Sequence, residues 1–126
     1  MNKVKINIWE REFELEVRYD CFEDEEELLP AQEEAILKLL QYGNVINQSL
    51  DYVKEYCLSN DRDKFSEDNI ENIFKYVIPA YLYVMRKGSD RTVAIVCDYR
   101  FDLEHGIAVV FKNEKFYQIG TQDIIV

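Results

Sequence analysis

The segment Asp98-Tyr-Arg-Phe-Asp-Leu-Glu-His-Gly-Ile-Ala-Val-Val-Phe111 joins two apolar, strand-like runs through a short polar stretch. Before it, residues 92–98 are rich in β-branched side chains on both faces, which is typical of a strand at the centre of a sheet. After it, residues 107–112 have the same character. The segment therefore predicts a reversal between two buried strands, in which Gly106 takes a positive backbone angle.

Alternation of apolar and polar residues predicts further strands on either side. Residues 3–9 and 13–19 alternate strictly and are joined at Glu10-Arg11, which predicts a β-hairpin with one solvated face. Residues 80–85 predict another strand. Asn113-Glu114 predicts a tight turn into a strand at 116–119, and residues 123–126 predict a short last strand.

The middle of the chain has helical spacing instead. Pro30 suits the first turn of a helix that ends at Gly43 in a left-handed cap. Asn44 is placed to cap a second helix, and Ser66 a third, shorter one that Pro79 ends. The apolar residues that recur at helical spacing in the second helix are Ile46, Leu50, Val53 and Cys57.

Helices and strands are thus segregated along the chain, which predicts one α+β domain over residues 1–126. We expect an N-terminal β-hairpin, two to three central helices, and a C-terminal antiparallel sheet of four to five strands with the helices packed on one face. A chain of 126 residues is long enough to bury a core without disulfides or metal. Four Gly and two Pro leave no room for a flexible linker.

The formal net charge of −10 restricts the class of partner. Nucleic acids are bound through basic surfaces that displace counterions, so direct binding to DNA or RNA is disfavoured. The same negative field attracts a basic protein and speeds its association.

The cysteines and the N-terminus bear on the compartment. Cys21, Cys57 and Cys97 are odd in number and far apart, which favours free thiols in a reducing environment. The first residues meet charge too early for a signal peptide, and no apolar run approaches membrane-spanning length. The cytoplasm is therefore predicted, with no membrane association.

An acidic run over residues 20–34 carries most of the negative charge and contains no basic residue. One interpretation is a solvated loop whose carboxylates favour the N-terminus of the following helix. The alternative is a docking patch for a cationic partner, whose predicted contact residues are Glu23, Asp24, Glu25, Glu26 and Glu27.

Tyrosines are abundant, and those of the predicted C-terminal sheet have two interpretations. Tyr81, Tyr83, Tyr99 and Tyr117 either line an exposed recognition face of the C-terminal sheet or cover the sheet under the helices. Strand alternation does not separate the two. Tyr99, beside the acidic strand end, is predicted to join the partner-binding residues.

The polar stretch Asp98–Gly106 has a catalytic and a structural interpretation. An acid/base or metal-dependent hydrolase would use Asp98, Asp102, Glu104 and His105, with Glu104 and His105 as the proton-transferring pair. In the structural interpretation, Asp102 accepts hydrogen bonds from the amides of the turn. The chain has no nucleophile elbow, phosphate-binding glycine loop, EF-hand spacing or paired zinc ligands, so neither a cofactor nor a metal is predicted.

The chain resembles a family of small uncharacterised bacterial domains, a domain of unknown function, in several segments. They are an Asp-x-Glu-His-Gly turn within Asp102–Phe111, a Gly-x-Gln-Asp ending within Ile119–Ile125, the strand Tyr81–Met85, Trp9 and the segment Tyr19–Glu23. The resemblance implies a bacterial cytosolic protein and a place among the small acidic immunity partners of toxin systems. It implies no reaction.

We therefore expect a non-enzymatic protein-binding module, including the toxin-neutralising immunity type, that presents acidic and tyrosine-rich surface to a basic protein. The alternative hydrolase requires Asp98, Asp102, Glu104 and His105 to converge in one pocket. A third alternative, a subunit of a homo-oligomer, requires a large apolar patch on a face or edge of the sheet.

Overall fold

The computed structural model describes residues 3–19, 30–66, 69–85 and 91–125. Six strands form one sheet in sequence order, and all neighbours are antiparallel except the second and third. The strands are β1 (Lys3–Ile8), β2 (Arg11–Tyr19), β3 (Val77–Val84), β4 (Thr92–Tyr99), β5 (Ile107–Lys112) and β6 (Lys115–Gly120). Between β2 and β3 lie the helices α1 (Pro30–Gln41), α2 (Asn44–Gln48) and α3 (Leu50–Asp61).

The α+β class and the initial β-hairpin are confirmed, and the hairpin is part of the same sheet as the C-terminal strands. It joins that sheet because β2 pairs in parallel with β3, with Glu16 beside Tyr81 and Tyr19 beside Val84. Parallel neighbours need a long crossover connection, and the helical middle of the chain supplies it. The central place predicted for β4 is confirmed, since β4 lies between β3 and β5.

The helices differ from the prediction in their ends and number. α1 begins at Pro30 as expected, but Gly43 has a right-handed φ of −58°, so the predicted left-handed cap is wrong. The second helix is divided at Ser49 into α2 and α3. Ser49 is fully buried, and its hydroxyl donates a hydrogen bond to the Ile46 carbonyl, which offers a helix-ending alternative to the regular ladder.

The predicted third helix and the predicted last strand are both wrong. A short 3₁₀ turn at Ile73–Lys75 is followed at once by β3, in which Pro79 lies next to an irregularity of the strand pairing. A strand tolerates proline at such a bulge. The last described residues form a 3₁₀ turn, Gln122–Ile125, instead of a strand.

Two β-hairpins of the sheet, β1–β2 and β5–β6, are each closed by two residues with positive φ. Asn113 and Glu114 have φ of 50° and 62°, which confirms the predicted tight turn. The first turn lies one residue earlier than predicted, at Trp9 and Glu10, with φ of 52° and 68°. Trp9 tolerates this conformation because its ring is buried and its indole N–H donates to the Ser49 hydroxyl at 3.1 Å.

The side chains of the sheet form two apolar clusters, one on each face. The larger one packs the sheet against all three helices, and its fully buried members include Ile8, Leu82, Ile95, Ile46 and Val53. The smaller one joins Ala94, Val96, Ala108 and Val110 to Ile125 of the last 3₁₀ turn. Neighbouring strands in a sheet are rotated relative to one another, so diagonally opposite corners of the sheet bend toward the same side. The helix α2 lies on that side and contacts both edge strands, β1 and β6.

Candidate functional site

The chain reverses after β4 in a turn held by hydrogen bonds within itself. We call residues Asp102–Gly106 the Leu103 turn. The Asp102 carbonyl accepts the Gly106 N–H at 2.8 Å, and Asp102 Oδ1 accepts the His105 N–H at 3.2 Å. The predicted role of Asp102 as an acceptor for the amides of the turn is therefore confirmed.

The turn is also anchored at both ends to the rest of the domain. Just before it, the Arg100 N–H donates to the Tyr76 carbonyl at 2.8 Å. Within it, the His105 carbonyl accepts the Gln122 N–H at 3.0 Å, which ties the turn to the last 3₁₀ turn. These bonds tie the turn to two separate segments of the chain.

Aromatic side chains pack against Phe101, the residue just before the turn. The ring of Phe101 packs edge-on against Phe65, with centroids 5.1 Å apart, and lies 5.6 Å from the ring of Tyr76 and 5.8 Å from that of Tyr99. Such edge-to-face contacts add to the free energy gained from burial alone. The residue preceding Asp102 is thus fixed by its side chain as well as by its backbone.

Asp102 and His105 are hydrogen-bonded inside the turn, and they form an ion pair when the imidazole is protonated. His105 Nδ1 lies 3.0 Å from Oδ1 and 3.1 Å from Oδ2 of Asp102. The hydrogen bond and the negative charge of Asp102 raise the pKa of His105, and Glu104 and Asp123 act in the same direction. Although desolvation of its carboxylate opposes the shift, the hydrogen bonds and charge of His105, with Lys64, lower the pKa of Asp102.

Gly106 occupies the position where the chain turns back into β5. Its φ is +58°, so the predicted positive backbone angle is confirmed. A Cβ atom at this position would lie 2.5 Å from the Cys97 carbonyl oxygen and 2.5 Å from Gln122 Nε2. Both the conformation and the space therefore require glycine.

One strongly exposed side chain of the turn is apolar. Leu103 is 74% exposed, and its neighbour Glu104 is exposed as well. Asp102, Glu104 and the exposed Asp123 all lie near enough to His105 to raise its pKa, so three carboxylates lie close to this histidine. Sequence reasoning passed over Leu103 because an isolated leucine next to an apolar strand is usually part of the core.

The four residues of the hydrolase hypothesis do not converge. Asp102 and His105 are in contact, and Glu104 lies beside them. Asp98 follows the buried Cys97 and precedes the buried Tyr99, so by strand alternation it is exposed on the sheet face opposite the helices. None of the four lines any of five clefts on the described surface. The condition that this hypothesis set is not met.

Tyr99 lies inside the domain, away from any partner surface. Its side chain is 3% exposed, and its hydroxyl donates to Asp61 Oδ2 at 2.8 Å. Burial, and then the bond to Asp61, raise the pKa of Tyr99. The predicted partner contact at Tyr99 is thus not available, because β4 turns this ring toward α3. Sequence reasoning missed Asp61 and the Lys64 ammonium that pairs with it at 3.3 Å.

The cysteines and the acidic run complete the predicted site residues. Cys57 and Cys97 are buried free thiols, and burial raises the pKa of Cys57 to about 11. In the described ranges, no three His, Cys, Asp or Glu side chains are grouped as metal ligands, and no helix is long and apolar enough to cross a bilayer. The predicted contact residues Glu23, Asp24, Glu25, Glu26 and Glu27 lie outside the described residues.

Comparison with known families places the chain in a family of unknown function. The family model described as a domain of unknown function, DUF6985, matches residues 1–126, which confirms the resemblance to a family of that kind. No curated protein and no solved structure matches the chain.

Proposed function

Since the chain belongs to the DUF6985 family, a domain of unknown function, we propose its function from the geometry of the Leu103 turn. The chain is a non-enzymatic protein-binding module that docks a cationic protein through this turn. The observation that carries the proposal is the 74% exposure of Leu103 on a turn that is hydrogen-bonded to itself and to two other segments.

Rigidity makes this leucine suitable as an anchor. A side chain that is held in its binding position before the partner arrives loses little conformational freedom on association. Burying this leucine completely in a partner's pocket would contribute about 1.5–3 kcal/mol to binding.

The charge near the turn specifies the partner's chemistry. Glu104 and Asp123 contribute negative charge close to His105, and the whole chain has a formal charge of −10. A complementary surface has an apolar pocket bordered by lysine or arginine, and its association is accelerated by electrostatic steering. A basic toxin neutralised by this chain in the cytoplasm fits this description, and the reduced state of Cys57 and Cys97 is compatible with that compartment.

The test uses the product of the neighbouring gene as the binding probe. We expect calorimetry to show binding that weakens about 10- to 100-fold in the variant Leu103→Ser, because the variant removes the buried leucine. Glu104→Gln and higher salt should each slow association without changing the fold, since they reduce the field rather than the packing.

The matched control is Leu37→Ser, which replaces another strongly exposed leucine, 67% exposed on α1. This variant should bind with unchanged affinity. The proposal is rejected if the probe does not bind, or if binding is equally affected by Leu37→Ser and Leu103→Ser.

A further inference from the structure

The outer edge of β1 borders a cleft that the Leu103 turn does not involve. Within the described ranges, β1 pairs with β2 alone, so its other edge has no strand beside it. A cleft of about 730 Å³ runs between this edge and the end of α1 with α2. Ligand-binding clefts have volumes of about 300–1,000 Å³.

The backbone of β1 presents hydrogen-bonding groups along this edge. A two-residue turn joins Ile8 to Arg11, so that pair exchanges both of its ladder hydrogen bonds. The bonding pattern alternates along an antiparallel pair. Lys3, Lys5 and Asn7 therefore direct their N–H and C=O groups away from β2, toward the open edge.

The helical wall of the cleft is rich in amides. Leu40, Gln41, Asn44 and Asn47 line it opposite β1. The Asn47 side chain also accepts the Glu10 N–H at 3.0 Å, which fixes the end of the cleft at the first β-turn. Uncharged side chains of an added strand would point into this wall, where amides and a leucine accommodate both small polar and apolar groups.

We propose that the cleft binds an extended segment of another protein as an additional strand of the sheet. The segment has acidic side chains at alternate positions and uncharged ones between them. Main-chain hydrogen bonds to Lys5 and its neighbours hold it, as in other proteins that bind peptides by adding a strand. This site is independent of the protein-binding role proposed for the Leu103 turn.

Charge decides which segment fits. The side chains of Lys3 and Lys5 are exposed on the solvated face of β1, and the register places Glu16 and Glu14 of β2 directly beside them. An added strand would place its own side chains directly beside the same lysines, on the other side. Opposite charges at such cross-strand positions stabilise the pair and like charges destabilise it.

The same rule disfavours a second copy of this chain at the edge. In antiparallel pairing of β1 with its own copy, registers centred on Val4 or Lys5 place lysine directly opposite lysine. Lysine on an edge strand is a common obstacle to self-association. An acidic segment of a different protein removes the conflict.

The test measures fluorescence anisotropy with a labelled synthetic peptide of about eight residues, the length of an ordinary strand, in which Glu and Val alternate. The wild-type protein should bind this peptide at least about tenfold more tightly than a peptide in which Lys and Val alternate. A peptide with the same Glu and Val content in two blocks should also bind more weakly, because its charges no longer match the strand period.

Two variants of Lys5 distinguish the contribution of main-chain hydrogen bonds to peptide binding from the contribution of side-chain charge. Lys5→Pro removes an outward N–H on the edge, where proline is tolerated, and should abolish binding while circular dichroism stays unchanged. Lys5→Ala keeps the N–H and should weaken binding only about threefold. If Lys5→Pro does not fold, amide shifts of Lys5 and Asn7 on addition of the Glu–Val peptide decide the question in the wild type.

Three results would overturn the inference. The first is that the wild-type protein does not bind the Glu–Val peptide. The second is that a folded Lys5→Pro variant binds the peptide as tightly as the wild type or, where that variant does not fold, that the amides of Lys5 and Asn7 do not shift. The third is a dimer in sedimentation that Lys5→Pro dissociates, which would assign the edge to a second copy. The variant Leu103→Ser should bind the peptide like the wild type. A failure of the proposed function at the Leu103 turn is thereby distinguishable from a failure here.

Discussion

Replacing Gly106 with alanine tests whether the Leu103 turn has the rigid geometry that its proposed function needs. Gly106 has a φ of +58°, and a residue with a Cβ in this left-handed region is destabilised by about 1–2 kcal/mol. This conformational cost is present even if the new methyl group meets no other atom.

The methyl group does meet other atoms. It would lie 2.5 Å from Gln122 Nε2, which is the end of a flexible side chain and can rotate away. It would also lie 2.5 Å from the Cys97 carbonyl oxygen, which belongs to the buried strand β4 and moves only with the strand. Overpacking of this kind costs about 1–3 kcal/mol. The two contributions together predict a loss of about 2–5 kcal/mol, a large part of the stability of an ordinary domain.

Urea denaturation followed by circular dichroism measures this loss as a lower midpoint at an unchanged slope. Gly43→Ala is the matched control, because Gly43 has a right-handed φ of −58° and its added Cβ would only come within 3.6 Å of the Leu40 carbonyl oxygen. The control should be neutral or stabilising by up to about 1 kcal/mol. Equal effects of the two substitutions, or a loss below about 1 kcal/mol for Gly106→Ala, would refute the described turn geometry.

Four further experiments have definite expected outcomes. Chemical denaturation should show that Glu10→Gly, at a φ of 68°, raises the free energy of unfolding by about 0.5–1 kcal/mol. Glu114→Gly should lower it, because the Glu114 carboxylate pairs with Arg91. In NMR titrations, Asp102→Asn should return the raised pKa of His105 toward 6.5. In the wild type, the Asp102–His105 pair should stabilise the fold fully between pH 3.8 and 6.5. This stabilisation should be lost above the raised pKa of His105 and below the lowered pKa of Asp102. Peptide-resolved mass spectrometry should find Cys57 alkylated much more slowly in the folded protein than in urea, since burial raises its pKa to about 11; equal rates would contradict that burial.

Local patterns in the sequence were sufficient for the features that depend on near neighbours. Strict alternation identified β1 and β2, because each has one face on the core and one in solvent. The β-branched residues on both faces of β4 identified its central place in the sheet. Gly106 and Asp102 were identified within their turn because the bonds that need them span only a few residues.

Features that depend on distant contacts were not predictable in the same way. The parallel pairing of β2 with β3 joins segments far apart in the chain, and periodicity carries no information on such a pairing. The first hairpin turn was placed one residue late because Trp9 is a poor residue for positive φ, and only its burial against Ser49 makes that conformation favourable. Apolar residues recur at helical spacing over residues 69–76, but this segment forms only the 3₁₀ turn Ile73–Lys75 before the strand β3 begins at Val77.

The polar contacts of Asp102 and His105 hold the backbone of the Leu103 turn. Each polar contact of Asp102 and His105 lies within the turn or ties it to a neighbouring segment, so their interactions are used in holding the backbone. A catalytic pair would instead direct at least one of these groups into a cleft where a substrate could reach it. Leu103 is 74% exposed on this turn. Under the function proposed above, the partner's pocket would cover this side chain, and its burial would stabilise the complex.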